Sequence, residues 1–180
     1  RAIRKKRVSV VTDQIETFTE TGIKLKSGEE LEADVVVTAT GLVLQPLGGA
    51  ILVVDGKPVK PSETMIYKGM MYSDIPNLAS VFGYTNASWT LKADLVCEYV
   101  CRLLNHMDRK GFKQCMPHNN DPTLTEEPWV NFSSGYIQRA LAHQPKQGSK
   151  RPWKLYQNYA LDLVSLRYGS VRDKAMAFTR

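Results

Sequence analysis

The residues of this chain best suited to chemistry form a polar loop that begins at a glycine and leads into a helix. Residues 83–92, GYTNASWTLK, carry several hydroxyl and amide groups and one ammonium group. Ser88 and Thr90 both suit the N-cap of the helix. Unpaired backbone N–H groups and the positive end of the helix dipole favour an anionic or acceptor-rich ligand there. An ordinary strand-to-helix connection has the same spacing, so both a ligand site and a plain connection remain possible interpretations.

Cysteine and histidine side chains do not form a convincing metal-ligand pattern. Cys115 and His118 have a ligand-like gap, but no second pair completes a tetrahedral site. His106 and His143 stand alone in the sequence. We therefore predict no metal site.

One long amphipathic helix must position the polar loop. Its apolar residues recur at the i, i+3, i+4 spacing of a single buried face: Leu91, Leu95, Val96, Tyr99, Val100, Leu103, Leu104 and Met107. Gly111 is expected to end the helix. Cys97 and Cys101 lie one turn apart inside it and are expected to be small buried apolar residues. Three cysteines without framework spacing indicate a reducing compartment.

A second candidate position follows a run of valines. Residues 35–37 are all valine, which predicts a strand covered on both faces. Ligands of α/β sheets collect beyond the carboxyl ends of strands, where Thr40 and Gly41 would lie. A plain strand end explains this short motif equally well.

The rest of the first 82 residues shows several short strand and turn patterns. Alternation predicts a strand at residues 8–11 and then a small antiparallel meander, with strands at residues 14–18 and 22–26 and, after a turn at Ser27-Gly28, at residues 31–33. Residues 51–59 predict a hairpin around an Asp-Gly turn of type I′. Short apolar strands are expected at residues 67–72 and 78–82. In the first of these, Met70 and Met71 are expected to fill the core rather than to line a cavity.

Two further helices are expected towards the end of the chain. The first covers residues 136–143 and the second runs from about Trp153 to Tyr168. Pro145 and Gly169 are expected to follow their ends.

Composition limits the possible classes of protein. The chain has 180 residues, of which 43% are hydrophobic and 23% charged, as in an ordinary globular protein. The net charge is +6, and two groups concentrate the basic residues: Arg1, Arg4, Lys5, Lys6 and Arg7, then Lys146, Lys150, Arg151 and Lys154. We expect both groups to be solvated surface. No apolar run is long enough to span a membrane. Because the chain starts with Arg, we expect it to be a fragment of a longer protein.

Three blocks of sequence resemble the Baeyer–Villiger-type flavin monooxygenases. They are residues 83–95 (GYTNASWTLKADL), residues 34–41 (DVVVTATG), and residues 145–159 with their PKQG, PW and QNY segments. The first block is highly specific, whereas the second occurs in many flavoproteins. The third block is specific but has no assigned role. Together they reach across most of the chain.

The resemblance implies an enzyme that binds FAD and NADPH. Such an enzyme reduces FAD with NADPH and captures O2 as a C4a-peroxyflavin. One oxygen atom is then transferred to a small-molecule ketone, or to a sulfur or nitrogen centre such as a sulfide or a thioamide-like group. The cofactor carries the demanding step, and the protein orients the reactants.

The resemblance also implies that much of the catalytic apparatus lies outside these 180 residues. Neither a G-x-G-x-x-G motif nor an F-x-G-x-x-x-H fingerprint is present. The arginine beside the flavin would precede Arg1, so we assign no catalytic residue. The residues carried over as cofactor-binding are Thr40, Gly41, Gly83, Tyr84, Thr85, Asn86, Thr90, Leu91 and Lys92.

The expected fold class is α/β, as the C-terminal part of a flavoprotein with two Rossmann-like, dinucleotide-binding domains for FAD and NAD(P). Residues 1–41 would end the NADP-binding domain with a β-meander. Residues 42–111 would return to the FAD-binding domain, with its last strand and the long helix. Residues 112–180 would form a C-terminal helical extension. The expected location is cytoplasmic with at most peripheral membrane contact, and the missing N-terminal half would be needed for activity.

Two other functions remain open. An NAD(P)H-dependent flavoprotein reductase would share the architecture but not the GYTNASWTLKAD sequence. A non-catalytic basic module for nucleic acid or membranes would need basic and aromatic residues interleaved on one face. The polar side of the long helix instead mixes both charges, as at Lys92, Asp94, Glu98 and Arg102. We therefore expect no nucleic-acid partner.

Overall fold

A computed structural model describes residues 1–180 as two compact units, Arg1–Thr40 and Gly41–Arg180. Apart from one long helix in the second unit, both are built from short elements. The chain is mixed α and β with small antiparallel sheets, and no helix is both long and apolar enough to cross a bilayer.

The first unit contains the predicted meander. Strands β1 (Ile15–Phe18), β2 (Gly22–Leu25) and β3 (Glu30–Glu32) pair antiparallel in that order. Gly28, at φ +90°, lies in the turn between β2 and β3. At Gly22 a Cβ would lie 2.0 Å from the carbonyl oxygen of Leu31, so this close strand pairing requires glycine.

Two strands predicted in the first unit are absent, and both predictions were wrong. Residues 8–11 and 35–39 form no strand, and Val35 and Val37 are 78% and 82% exposed. A β-branched run identifies residues suited to a buried strand, but a strand also needs hydrogen-bonded neighbours. Residues 35–39 pair with no strand of this chain.

The second unit begins with two hairpins. Strands β4 (Leu52–Val54) and β5 (Lys57–Val59) pair around Asp55 and Gly56, both left-handed, which confirms the type I′ turn. Strands β6 (Ile66–Tyr67) and β7 (Met71–Tyr72) form a second hairpin. The single strand predicted at residues 67–72 was wrong, because Lys68 and Gly69 adopt positive φ and reverse the chain.

The strand predicted at residues 78–82 is reduced to one bridge between Ala79 and Met71. Met70 and Met71 are each 1% exposed in the core, as expected.

Helix α1 (Trp89–Lys110) is the longest element of the chain, and it confirms the predicted helix. Leu95, Tyr99 and Leu103 form its buried face, whereas the predicted burial of Leu91 and Leu104 was wrong, since both are exposed. Gly111 ends it at φ +67°. The expected burial of Cys97 and Cys101 was wrong, since both are exposed. They lie on the side of the helix opposite the core, where the 3.6-residue period places them.

The segment after α1 forms strands that the sequence pattern did not reveal. Strand β8 (Gln114–Pro117) is followed by β9 (Glu126–Pro128), helix α2 (Gly135–Ala140) with a 3-10 turn to His143, and β10 (Lys146–Gly148). Helix α2 and its 3-10 turn confirm the helix predicted at residues 136–143. Strand β10 pairs with β9.

The last helix is shorter than predicted. Helix α3 (Tyr159–Asp162) continues as a π-helical segment, Leu163–Tyr168, before strand β11 (Met176–Thr179) pairs with β8. Residues 154–158 are not helical, because Gln157 adopts φ +49° and Asn158 caps α3 by accepting from the Leu161 N–H.

Two hydrophobic clusters hold the second unit together. One surrounds Tyr99 and Leu103 of α1 and includes Trp153 and Leu166. The other joins Ile66, Tyr72, Trp129 and Ile137. In the polar loop before α1, Tyr84 is buried, whereas Thr85 and Asn86 are exposed.

Candidate functional site

Aromatic packing fixes the start of the polar loop. A Cβ on Gly83 would lie 2.2 Å from Cγ of Trp89, so only glycine lets the indole lie against the loop. The Trp89 ring contacts Phe82 at 5.0 Å between centroids, and Phe82 contacts Trp129 at 4.1 Å. The three rings form a continuous aromatic row.

The N-terminus of α1 has no side-chain cap. Ser88 has the extended backbone of an N-cap, but no side chain caps the helix by accepting a hydrogen bond there. The Ser88 hydroxyl instead lies 2.8 Å from the Thr90 hydroxyl. The backbone N–H groups of the first turn therefore lack a side-chain acceptor, and the positive end of the dipole adds to their attraction for an acceptor.

Lys92 is not a solvated lysine. It is buried, and its Nζ lies 2.9 Å from Oδ2 of Asp162. The same oxygen accepts a 2.8 Å hydrogen bond from the Tyr84 hydroxyl. Burial, reinforced by Asp162, raises the pKa of Tyr84 above its usual range, so the phenol stays protonated. The positive charge of Lys92 is thus neutralised within the chain.

Gln157 holds the exposed part of the loop. Its Oε1 accepts from the backbone N–H of Thr85 at 3.0 Å and from the Thr85 hydroxyl at 3.2 Å. Its carbonyl oxygen accepts from Nδ2 of Asn86 at 3.3 Å. The left-handed backbone of Gln157 brings both acceptors to the loop.

The two remaining candidates fall at the boundary between the units. Thr40 is the last residue of the first unit and Gly41 the first of the second. Gly41 has φ +87°, and a Cβ there would lie 2.9 Å from Cβ of Tyr136. Both the backbone and the packing therefore require glycine at position 41.

Two cavities flank the loop. The lysine cavity, of about 670 Å³, is lined by residues that include Lys92, Asp162, Trp153, Gly83 and Tyr84. The tryptophan cavity, of about 760 Å³, is lined by Trp89, Trp129 and Phe82 together with Tyr84 and Thr85. Asn86, Thr90 and Leu91 line neither cavity.

Three residues that organise this site were not predicted as site residues from the sequence: Asp162, Gln157 and Trp129. Gln157 lies in the QNY block that carries part of the family resemblance, so a weak signal existed. Asp162 had no local signal, because it contacts Tyr84 from 78 positions away.

Known proteins resemble this chain along its whole length, although no protein-family model matches it. The FAD-containing monooxygenase EthA of Mycobacterium tuberculosis is 53% identical over 180 residues, all of this chain and 37% of EthA. The FAD-binding monooxygenase AlmA of an Acinetobacter species is 49% identical over 99% of the chain and 36% of AlmA. The FAD-containing monooxygenase MymA of Mycobacterium tuberculosis is 48% identical over 171 residues.

The chain spans little more than a third of the length of these relatives. The match to EthA nevertheless extends over the whole chain, so it includes the polar loop, α1 and the segment that carries Gln157 and Asp162. The resemblance inferred from the sequence is confirmed: along its whole length, this chain is related to the corresponding part of FAD-containing monooxygenases.

Proposed function

We propose that this chain is part of an FAD-dependent monooxygenase that uses NADPH and O2 to oxygenate a small molecule. One oxygen atom would enter a ketone, or be added to a sulfur or nitrogen centre. The observation that carries this proposal is the 53% identity to a named FAD-containing monooxygenase over every residue of the chain. We also propose a cytoplasmic location with at most peripheral membrane contact.

The proposed architecture contains two Rossmann-like domains. Residues 1–41 would close the NADP-binding domain, 42–111 would return to the FAD-binding domain, and 112–180 would form a C-terminal extension. The division into structural units after Thr40 supports the first boundary. The long helix α1 in the middle segment supports its assignment to a dinucleotide-binding domain.

The N-terminus of α1 suits the pyrimidine edge of a flavin. That edge carries carbonyl and ring-nitrogen acceptors, and the first-turn N–H groups of α1 lack a side-chain acceptor. Bound FAD would supply the oxygen-activating chemistry. The backbone at Thr90 and Leu91 would donate hydrogen bonds to it and favour added negative charge.

Other residues of the candidate site would hold this helix end in position. Asp162 binds Lys92 and Tyr84, and Gln157 binds Thr85 and Asn86. Helix α3 and the residues before it therefore hold the loop in place. Gly83 would admit the Trp89 ring, while Thr40 and Gly41 would lie at the junction of the two domains.

Charge pairing within residues 146–154 argues against a basic binding surface in that segment. The basic residues of the segment 146–154 are largely paired: Lys146 with Glu126, Lys150 with Asp121, and Lys154 with Glu127. Hydrogen bonds from Lys150 and Thr123 lower the pKa of Asp121 to about 2, so that carboxylate stays charged. Paired lysines offer little unneutralised charge to phosphates.

The experiment is to supply the full-length protein with NADPH, thioanisole or cyclohexanone, and ¹⁸O2. We expect FAD to copurify and the S-oxide or lactone to carry one labelled oxygen atom. A reductase would oxidise NADPH without labelling the product. Absence of both FAD and labelled product would overturn the proposal, and NADH in place of NADPH serves as the coenzyme control.

A further inference from the structure

A third cavity, the arginine cavity, lies beside the C-terminal half of α1 and has a volume of about 610 Å³. Arg102, His106 and Arg109 follow the i, i+4, i+7 spacing of one helix face, and all three line the cavity. Arg172, from the loop before β11, also lines it. Asp108 is the only carboxylate in the lining. The lining therefore carries more positive than negative charge.

Arg102 builds the cavity wall and is not available to a ligand. Its Nη1 donates to the carbonyl oxygen of Arg167 at 2.5 Å, and its Nη2 donates to those of Leu166 and Gly169 at 2.9 and 2.8 Å. The last carbonyl groups of a helical segment need such partners. Arg102 thus joins α1 to the end of the π-helical segment and fixes the start of the loop that carries Arg172.

The other two arginines of the cavity have unused donors. Arg109 is exposed and donates one hydrogen bond, from Nε to the carbonyl oxygen of Asn105 at 3.0 Å. Arg172 is also exposed, and only its backbone N–H is engaged, donating to the Ser170 hydroxyl oxygen at 3.0 Å. Neither guanidinium is paired with a carboxylate. Because a guanidinium can donate two parallel hydrogen bonds to one anion, these two side chains suit a tetrahedral oxyanion.

A buried histidine reports the excess of positive charge beside this cavity. His106 is 9% exposed, and the rings packed on it, Phe112 and Phe178, carry no charge. Burial and then three neighbouring cations lower its pKa below the ordinary value of 6.5. Its Nε2 is enclosed, so a ligand would act on the ring through charge rather than contact. The charged residues that line the cavity with it or act on its pKa are Arg102, Asp108, Arg109, Lys110 and Arg172.

We infer that the arginine cavity binds the phosphate group of a small molecule, with Arg109 and Arg172 as the residues that hold it. A phosphate monoester carries about 1.5–2 negative charges near pH 7, which matches two unpaired guanidinium groups. At 1.5 Å per residue, Arg109 lies about 28 Å along the helix from Thr90. The site is therefore separate from the proposed flavin-facing end of α1 and does not depend on the proposed function.

Calorimetry with the full-length protein, in a phosphate-free buffer of low ionic strength, measures the Kd of glycerol 3-phosphate. Glycerol is the neutral counterpart and should not bind. Arg172→Gln removes one free guanidinium at an exposed position and should raise the Kd about 10-fold. Arg109→Gln/Arg172→Gln should abolish measurable binding. The inference is overturned if glycerol 3-phosphate does not bind the unmodified protein, or binds the double variant equally well.

Lys174→Gln is the matched control for net charge. Lys174 is an exposed cation in the same loop as Arg172, but it lines the lysine cavity instead. Its replacement removes the same charge without touching the arginine cavity, so the Kd should change less than about 2-fold. Equal weakening by Lys174→Gln and Arg172→Gln would show a general charge effect and refute a defined site. Melting temperatures report whether each variant is folded.

Vesicles distinguish a free phosphate ester from a lipid headgroup. Phosphatidylcholine vesicles with and without phosphatidic acid are sedimented with the unmodified protein. Because the donors line a recessed cavity, we expect glycerol 3-phosphate to bind whether or not the protein sediments with phosphatidic acid. Cosedimentation without any binding of glycerol 3-phosphate would assign the arginines to a membrane surface and contradict the inference.

The pKa of His106 provides a measurement on the unmodified protein. A phosphate dianion held by Arg109 and Arg172 would offset their charge and favour the imidazolium form, so the pKa should rise. NMR titration of ¹³C-labelled histidine follows the rings, and His106→Gln identifies the signal of His106. Glycerol 3-phosphate at saturation should raise this pKa, and glycerol should not. An unchanged pKa would place the bound phosphate elsewhere. Because these measurements need neither NADPH nor O2, their failure and a failure of oxygenation are separate results.

Discussion

Lys92 Nζ and Asp162 Oδ2 lie 2.9 Å apart, with the two side chains only 6% and 16% exposed. This ion pair links the first turn of α1 to the end of α3. It also neutralises the cation closest to the proposed flavin-facing helix end. Fixing the loop is therefore the clearer role of Lys92.

Breaking this pair should be costly. Asp162→Asn would leave the Lys92 ammonium buried without its counter-charge, and we expect the free energy of unfolding to fall by about 3 kcal/mol. Denaturant unfolding of the full-length protein measures this. The double variant Lys92→Met/Asp162→Leu, which removes both charges, should recover much of the loss. A loss below about 1 kcal/mol in the single variant would show that the pair is solvated in the whole protein.

Gly83 should tolerate no side chain while Trp89 is present. The Cβ of Gly83→Ala would lie 2.2 Å from Trp89 Cγ, so the indole or the loop must move. We expect a destabilisation of about 1–3 kcal/mol, typical of overpacking, together with reduced FAD retention.

The double variant Gly83→Ala/Trp89→Ala tests this clash directly, because it removes the ring that the new methyl group meets. The added cost of Gly83→Ala should be much smaller in the Trp89→Ala background than in the unmodified protein. Equal costs in both backgrounds would show that the glycine is needed for another reason.

Local features of this fold were predictable from the sequence. The Asp55-Gly56 turn and α1 depend on neighbouring residues, whose spacing and conformational preferences are visible in the chain. The pairing of β8 with β11 was not predictable, because it joins distant segments that each lack a clear strand pattern. The three valines at residues 35–37 favour a strand, but the sequence did not show whether another strand would pair with them, and none does.

The candidate site likewise combines features that were predictable from the sequence with features that were not. The glycine-started loop and the helix N-terminus could be located from residue types. Their supports could not, because Asp162 and Gln157 reach the loop only after the chain has folded back upon it. A lysine in the first turn of a helix is usually solvated, so nothing in the sequence indicated the burial of Lys92.

His106 should make stability depend on pH. It is buried against Phe112 and Phe178. Burial, together with Arg172, Arg109 and Lys110, lowers its pKa below the ordinary value of 6.5. The folded state thus resists protonation, whereas the unfolded chain takes up a proton near its ordinary pKa. The free energy of unfolding should therefore fall as the pH drops below about 6.5.

His106→Gln removes the titrating ring and should flatten this dependence. Thermal unfolding of the full-length protein between pH 8 and pH 5 provides the comparison. Unchanged slopes in the variant would assign the pH dependence to other groups.

The positive end of the helix dipole at Thr90 predicts the direction in which an added charge there changes the reduction potential of the flavin. Thr90 is exposed in the first turn of α1, so a negative charge there would oppose the positive end of the dipole. Reduction makes the flavin more electron-rich, and Thr90→Glu should therefore make it harder to reduce. A helix-end effect of about 0.3–2 kcal/mol corresponds to a two-electron potential lower by about 6–40 mV, with slower reduction by NADPH.

Thr90→Gln is the matched control, because it has nearly the shape of Glu without the charge. Thr90→Val tests loss of the hydroxyl that contacts Ser88. Both should change the potential much less than Thr90→Glu, since the helix dipole remains and no charge is added. Dye-equilibrated reduction potentials and anaerobic stopped-flow reduction of the FAD-loaded protein measure all three. If Glu and Gln behave alike, charge at this helix end does not reach the flavin, and α1 does not face the cofactor as proposed.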